Sequence, residues 1–486
     1  MMDSQSLNKK VVKATKWSAF TEVVARLVMP ISNIVLARIL APEAFGIVAT
    51  ITMVVTFAEV FTDAGFQKYL VQHEFKDNID KEQSTNVAFW SNLSMSLVFW
   101  LIITIFRDEI AKIVGNPGMG WVLVIASVSI PLAAFSSIQM ALYKRDLDFK
   151  TLFKVRIVGV CIPLLVTIPC AFLMKSFWAL VIGIITRDIF NALILTWYSK
   201  WKPKLFYSID KLKEMFSFSS WSVAEAISIW LTGYADIFLV GAVLNQYYLG
   251  LYKTSMTFVS SITGLITAAT TPILFSSLSR LQNSQSDFIN FYLRFQKLVA
   301  LLVVPLGVLV YCYSDFITLF VLGDQWVEAA GFIGLWGLSS SVVIVLSNYA
   351  SEIYRSKGKP QLSLLSQCLH LFFLFPAILI AIRYGYEVLY TTRALARFQA
   401  VIVDLILLYY IIGIAPLKLL GNVLPPFLAS LFIVLLSMAM KILLPDSYLF
   451  NIVSMALCAI IYLIVLSLFK EERNIIMNLP QLLKNK

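Results

Sequence analysis

The chain has 486 residues, 59% of them hydrophobic and only 14% charged, with a formal net charge of +11. A soluble domain carries roughly 25% charged residues, so this composition excludes an ordinary soluble protein. Apolar runs of about 20 residues recur from end to end, the length of a helical span. Lone strands and loops cannot satisfy their backbone in lipid, so the class is an all-α integral membrane protein.

Cys161, Cys170, Cys312, Cys368 and Cys458 all fall in apolar segments and form no CxxC pair. His73 and His370 lie far apart in sequence. This argues against a disulfide framework, a metal cluster and a hydrolase or zinc signature. No catalytic residue, metal site or cofactor is expected.

In chain order, Lys9, Lys10, Lys13 and Lys16 precede the first apolar run. A signal peptide starts in the same way. This run is too long, contains Arg26 and lacks a small-residue cleavage site, so it is read as a retained first span. Fourteen spans are predicted, at roughly 15–39, 43–67, 85–106, 119–142, 152–174, 177–198, 219–243, 247–277, 292–314, 327–353, 362–382, 387–413, 422–443 and 447–469. Their connections are too short for a soluble domain.

Basic residues set the topology. With the N-terminus inside, 28 of the 39 lysines and arginines fall in inner segments, Lys68, Lys144 and Arg156 among them. The outer loops hold five, Arg107, Lys112, Lys175, Arg383 and Lys441. That bias places both termini in the cytoplasm. The positive charge is therefore mostly topology and contact with anionic membrane lipids, and no nucleic-acid partner is expected.

The chain repeats itself at an offset of 204: Trp17-Ser18 returns as Trp221-Ser222, Leu40 as Leu244, Gly46 as Gly250 and Thr50 as Thr254. A weaker echo pairs Leu142-Tyr143-Lys144 with Ile353-Tyr354-Arg355. Spans 1–6 and 7–12 are thus two pseudo-symmetric six-helix lobes, parallel repeats about an axis along the membrane normal. The expected division is an N-terminal lobe at 1–198, a cytoplasmic linker at 199–218, a C-terminal lobe at 219–415, and two further helices with a cytoplasmic tail at 416–486.

Ionisable groups inside the membrane cost roughly 2.5–3.5 kcal/mol each and are usually directed to a bundle interior or a wet cavity. On span 1, Ser18, Glu22, Arg26, Pro30 and Asn33 form one stripe at helical spacing. Span 2 carries Thr52, Thr56, Glu59 and Asp63, and span 7 carries Ser222, Glu225, Thr232 and Asp236. Span 8 presents Lys253, Thr257, Ser260, Ser261, Gly264 and Thr271. Span 6 adds Arg187, Asp188 and Asn191, and span 12 adds Arg393, Arg397 and Asp404.

The simplest joint reading is a central cavity lined by spans 1, 2, 7 and 8. Its cations would be Arg26 and Lys253, with Arg187, Arg393 and Arg397 as further candidates. Arginine offers a planar fork to phosphate oxygens and lysine a mobile point charge, so the cavity suits an anionic headgroup. A structural reading stands beside it. Glu22 with Arg26, Arg187 with Asp188, and Arg397 with Asp404 can simply neutralise one another. Lys253 has no acid within a turn, but it sits near the end of its span and can snorkel to the interface.

Three stretches carry a family resemblance: A-T-K-W-S (Ala14–Ser18), A-R-I-L-A-P-E-A-F-G-I-V-A (Ala37–Ala49) and F-T-D-A-G-F (Phe61–Phe66). With the basic loop Tyr143-Lys144-Arg145-Asp146-Leu147-Asp148-Phe149, the chain resembles the bacterial polysaccharide flippases of the multidrug/oligosaccharidyl-lipid/polysaccharide exporter superfamily. It is more similar to the O-antigen, exopolysaccharide and teichuronic-acid branch than to the lipid II branch. The resemblance implies about 14 transmembrane helices and a cytoplasmic (inner) membrane location. It implies alternating-access transport of an undecaprenyl-pyrophosphate-linked oligosaccharide for surface polysaccharide, lipopolysaccharide included. Pyrophosphate would sit among cavity cations on the first and eighth helices, where Arg26 and Lys253 stand. The two last helices would hold the lipid tail. Glu22, Glu59, Asp63, Glu225, Asp236 and Asp404 are candidate coupling or cavity acids. A polysaccharide polymerase and chain-length machinery are the implied protein partners.

Three rivals remain at this point. A cation-coupled multidrug antiporter of the same superfamily would more often stop at twelve spans and carry an acidic cavity. A membrane polysaccharide polymerase would be expected to carry a large outer loop with catalytic Arg or His, whereas the longest outer connection here runs only from about Arg107 to Met119 and contains no His. A lipid scramblase or scaffold is compatible with the charged stripes.

Overall fold

The computed structural model describes residues 28–63, 65–443 and 447–474, and for 218–222, 224 and 225 the backbone alone. Among the described residues there is no strand, and thirteen helices are long and apolar enough to cross a membrane. A shorter apolar helix, α1 (Val28–Ile39), is the described part of the first expected span. The thirteen are α2 (Pro42–Asp63), α3 (Asn78–Ile105), α4 (Gly120–Arg145), α5 (Phe149–Met174), α6 (Trp178–Tyr198), α7 (Ile209–Val243), α8 (Gln246–Arg280), α9 (Gln285–Cys312), α10 (Asp324–Ser356), α11 (Gln361–Tyr384), α12 (Tyr386–Ile412), α13 (Pro416–Leu443) and α14 (Tyr448–Ser467). The chain is a multi-pass α-helical membrane protein. Its residues pack as two units, Met1–Lys253 and Thr254–Lys486.

In the first unit, local chemistry sets the breaks. Leu40 N–H donates to Leu36 C=O at 2.9 Å and closes α1. Pro42 then heads α2, where a missing N–H costs nothing, and its ring disfavours a helical Ala41. At the repeat positions the same bond closes α7, from Leu244 N–H to Val240 C=O at 2.9 Å. The two copies meet at their glycines. A Cβ on Gly46 would stand 1.9 Å from the Gln246 carbonyl oxygen, and one on Gly250 would stand 1.9 Å from that of Pro42. Adding 204 to Pro42 gives Gln246, and adding it to Gly46 gives Gly250. The crossing of α2 and α8 is therefore reciprocal, as a local two-fold relation requires.

The weaker echo also has a structural meaning. After α4, Leu147 N–H bonds Lys144 C=O at 3.2 Å and Asp148 N–H bonds Tyr143 C=O at 2.9 Å. After α10, Gly358 N–H bonds Arg355 C=O at 3.0 Å and Lys359 N–H bonds Tyr354 C=O at 2.8 Å. Both are Schellman caps, which require a left-handed residue. Gly358 supplies it at φ 71°, whereas Leu147 is forced there at φ 56°. Arg145 then caps the short helix Phe66–Gln72 by donating to the carbonyls of Leu70, Val71 and His73. Asp148 caps α5 through Thr151 N–H.

The stretch before α7 is laced onto α3. Trp90 Nε1–H donates to Lys204 C=O at 2.9 Å, Lys204 N–H donates to Asn86 Oδ1 at 3.0 Å, and Lys211 pairs with Asp80. Helix α7 begins at Ile209 and packs on α2, α3 and Phe66–Gln72. Burial and the neighbouring Glu214 carboxylate raise the Tyr69 phenol above its ordinary pKa, and its O–H donates to Glu214 at 3.0 Å.

In the second unit α9 packs between α10 and α13, around Val299, Val303, Val304, Ile344 and Val423. Pro305, inside α9, is buried. Asp404 of α12 ties three helices. Its carboxylate accepts the hydroxyls of Ser347, Ser366 (2.8 Å) and Tyr354 (2.9 Å). Beyond α14, Lys297 donates to Glu471 at 2.5 Å and holds that carboxyl below its ordinary range.

Candidate functional site

A cavity of about 1070 Å³ lies within the first unit. That is at the top of the range for small-molecule pockets, roughly 300–1,000 Å³. Helices α2, α4, α5, α6 and α7 build most of its wall, with Met29 from α1 and Asn92 from α3. Helix α5 turns one face to it: Phe149, Leu152, Phe153, Arg156, Gly159, Val160 and Pro163 follow steps of three and four. Helix α4 does the same with Ala133, Ser136, Ser137, Met140 and Lys144.

Four cations line the cavity, Lys68, Lys144, Arg156 and Arg187, against three acids, Glu59, Asp63 and Asp188. Arg187 Nε–H donates to Asp188 at 2.9 Å, and the Asp188 carboxylate is buried. Glu59 lies within electrostatic range of Asp188, Arg187 and Asp63, and Asp63 within range of Lys144 and Lys68. Among the described residues, neither Lys144 nor Arg156 forms an ion pair. Gly159 keeps the space beside Arg156 narrow but open, since a Cβ there would lie 3.7 Å from Arg187 Cγ and Asn191 Oδ1. The chemistry on offer is two cations without an ion-pair partner among the described residues, in a cavity of about 1070 Å³ whose lining is part apolar and part polar. Both side chains are exposed to the cavity, where they can offer charge-assisted hydrogen bonds to an anion.

The cavity brings together Thr56, Glu59, Asp63, Arg187, Asp188 and Asn191 of the residues singled out in the sequence. Arg26 and Glu22 lie outside the described residues, as does the side chain of Glu225. Lys253 does not line this cavity; its Nζ stands 5.6 Å from the ring of Tyr234, which does. Asp236 is buried and accepts the Tyr252 hydroxyl at 3.0 Å. Arg393 and Arg397 belong to the second unit and share the face of Trp336, at 5.2 and 4.0 Å from its centroid. Arg397 also donates to Ser340 Oγ at 2.7 Å. Asp404 is engaged by its three hydroxyls and is not paired with Arg397.

Sequence reasoning missed Lys68, Lys144 and Arg156 as site residues because the topology count absorbed them. The face spacing on α5 carries the signal: Arg156 shares its stripe with Gly159 and Pro163. Among the described residues, no group of three or more His, Cys, Asp or Glu is arranged to hold a metal ion.

The sequence pattern of the polysaccharide biosynthesis protein family matches residues 35–331. The chain belongs to that family. Its relatives include the succinoglycan biosynthesis transport protein ExoT of Rhizobium meliloti (strain 1021), 22% identical over 70% of this chain and 68% of that protein. The lipopolysaccharide biosynthesis protein WzxC of Escherichia coli (strain K12) is 20% identical, covering 77% of this chain and 76% of its own. Among solved structures the fold is similar to the lipid II flippase MurJ in an inward closed conformation. That likeness has a TM-score of 0.77 at 14% identity, over 94% of this chain and 99% of that one. An inward-facing multidrug resistance MATE transporter gives a TM-score of 0.60 at 11% identity, over 80% of this chain and 98% of that one. This member of the polysaccharide biosynthesis family is a membrane transporter, and not an enzyme.

Proposed function

We propose that this protein translocates undecaprenyl-pyrophosphate-linked oligosaccharide repeat units across the cytoplasmic membrane by alternating access, for cell-surface polysaccharide. The observation that carries the proposal is Lys144 and Arg156, without an ion-pair partner among the described residues and lining a cavity walled by membrane-length helices. A pyrophosphate is the anion this arrangement suits: Arg156 offers a planar fork and Lys144 a point charge to its oxygens. The relatives named for succinoglycan transport and lipopolysaccharide biosynthesis support a lipid-linked glycan as cargo. Both termini are taken to be cytoplasmic on the basic-residue bias. The cavity cations Lys68 and Lys144 then stand toward the leaflet where such a cargo is made.

The second reading, a cation-coupled small-molecule antiporter, draws on Glu59, Asp63 and Asp188 in the same cavity and on the antiporter-like fold. One experiment separates the two. Deletion of the gene should leave one lipid-linked oligosaccharide accumulating in the inner leaflet, with surface polymer lost. Restoring Arg156→Ala or Lys144→Ala should return less than a tenth of the polymer, while Lys144→Arg restores most of it. Normal polymer in the deletion strain, with raised sensitivity to toxic cations, would overturn the flippase reading in favour of the antiporter.

A further inference from the structure

Trp230 and Tyr234 stand one turn apart on α7 and both line the cavity. Their ring centroids are 5.5 Å apart and the planes lie within 22° of parallel. Helix α2 holds the indole in place. Trp230 Nε1–H donates to Thr56 Oγ1 at 3.2 Å, and the Phe57 ring packs 4.7 Å away. Aromatic pairs that serve packing alone are closed over by side chains. Here both rings are only half-buried, and among the described residues Gly233 beside them has no heavy atom within 4 Å of where a Cβ would stand. Among the described residues the strip faces the cavity uncovered.

The walls also differ in charge. Among its described side chains, α7 contributes no charged group to the lining, whereas α4 and α5 contribute Lys144 and Arg156. Polar uncharged groups, Asn92, Asn191 and Gln67, complete the surround. An aliphatic lipid tail has no use for such amide groups. A sugar does, because its hydroxyls need partners when they leave water. Its axial C–H bonds form an apolar, slightly positive face that matches the negative face of an aromatic ring.

We propose that the Trp230–Gly233–Tyr234 strip is a sugar-binding subsite, on which a pyranose ring of the cargo stacks while its diphosphate is held by Lys144 and Arg156. The proposal rests on the flippase reading of the cavity. It adds that affinity comes from the glycan as well as from the anion, and that α7 selects the glycan.

The test compares two probes on the purified full-length protein in lipid nanodiscs. One is undecaprenyl diphosphate, and the other is the same carrier bearing a trisaccharide of hexoses. Wild-type protein should bind the glycosylated probe about tenfold more tightly. Trp230→Leu should remove most of that advantage and leave the bare carrier unaffected, while Trp230→Phe keeps it. Gly233→Leu should also remove it without loss of stability, because among the described residues its Cβ meets no atom within 4 Å, the position is on the cavity lining, and leucine favours helix. Lys144→Ala should weaken both probes alike. The subsite is refuted if Trp230→Leu and Gly233→Leu leave the ratio of affinities unchanged, or if wild type binds the two probes equally. Failure of wild type to bind either probe overturns the flippase reading itself, and the subsite with it.

Discussion

Adding a single methyl group at Gly46 tests the crossing of the two repeat copies. In Gly46→Ala the new carbon would stand 1.9 Å from a backbone carbonyl oxygen, where ordinary contact begins at 3.4 Å. The obstacle is main chain, which cannot rotate away, so α2 and α8 must part by about 1.5 Å at this point. Overpacking of this kind costs typically 1–3 kcal/mol, and a backbone clash belongs at the upper end. Gly250→Ala meets the Pro42 oxygen at the same 1.9 Å, so its cost should be equal. The double variant is the sharper measurement. Once one methyl has parted the helices, the second finds room already made. The pair should lose about 3 kcal/mol, not about 6, a coupling well above the few tenths expected of independent sites. The assay is thermal unfolding of the purified protein in detergent. Each single variant should fall by about 3 °C, and the double should fall little further. Single variants that melt with wild type, or losses that add, would refute the reciprocal contact.

Two other expectations follow from the charged stripes and the caps. Arg26→Ala should abolish surface polysaccharide at normal protein level, as the stripe on the first span predicts, whereas Lys253→Ala, outside the cavity lining, should keep most of it; wild-type polymer in Arg26→Ala rules out a role for that cation. Leu147→Gly should raise the melting temperature, because a left-handed side-chain-bearing residue costs roughly 1–2 kcal/mol that glycine avoids. The reverse change at the matching position, Gly358→Leu, should lower it by a similar amount, and opposite signs at the two caps are the required result.

Much of the fold was legible because the residues that define it act locally. The Ala41-Pro42 break and the Leu40 and Leu244 closures need only neighbours in sequence, and the 204-residue offset needs only the residue types at matching positions. The site was less legible. Hydropathy reports how deep a residue sits along a span but not the direction in which it points. Lys144 lies in the last turn of α4 and Arg156 lies well inside α5, yet both fall where apolar runs thin out and therefore read as loop charges. Arg187 escaped that fate because it sits mid-run. The aromatic strip on α7 was hidden for another reason. In a membrane chain with 14% aromatic residues, Trp230 and Tyr234 look like lipid-facing bulk until the cavity gives them a side.

Lys68, Lys144 and Arg156 have a consequence that begins before the protein is finished. During biogenesis, the insertion machinery reads positive charges near span ends and orients the nascent helices by them. On the proposed topology these three residues are among the charges it reads. The same side chains later face the cavity. A substitution to a neutral residue there would remove a cavity charge and an orientation signal together, whereas an exchange of lysine and arginine keeps both.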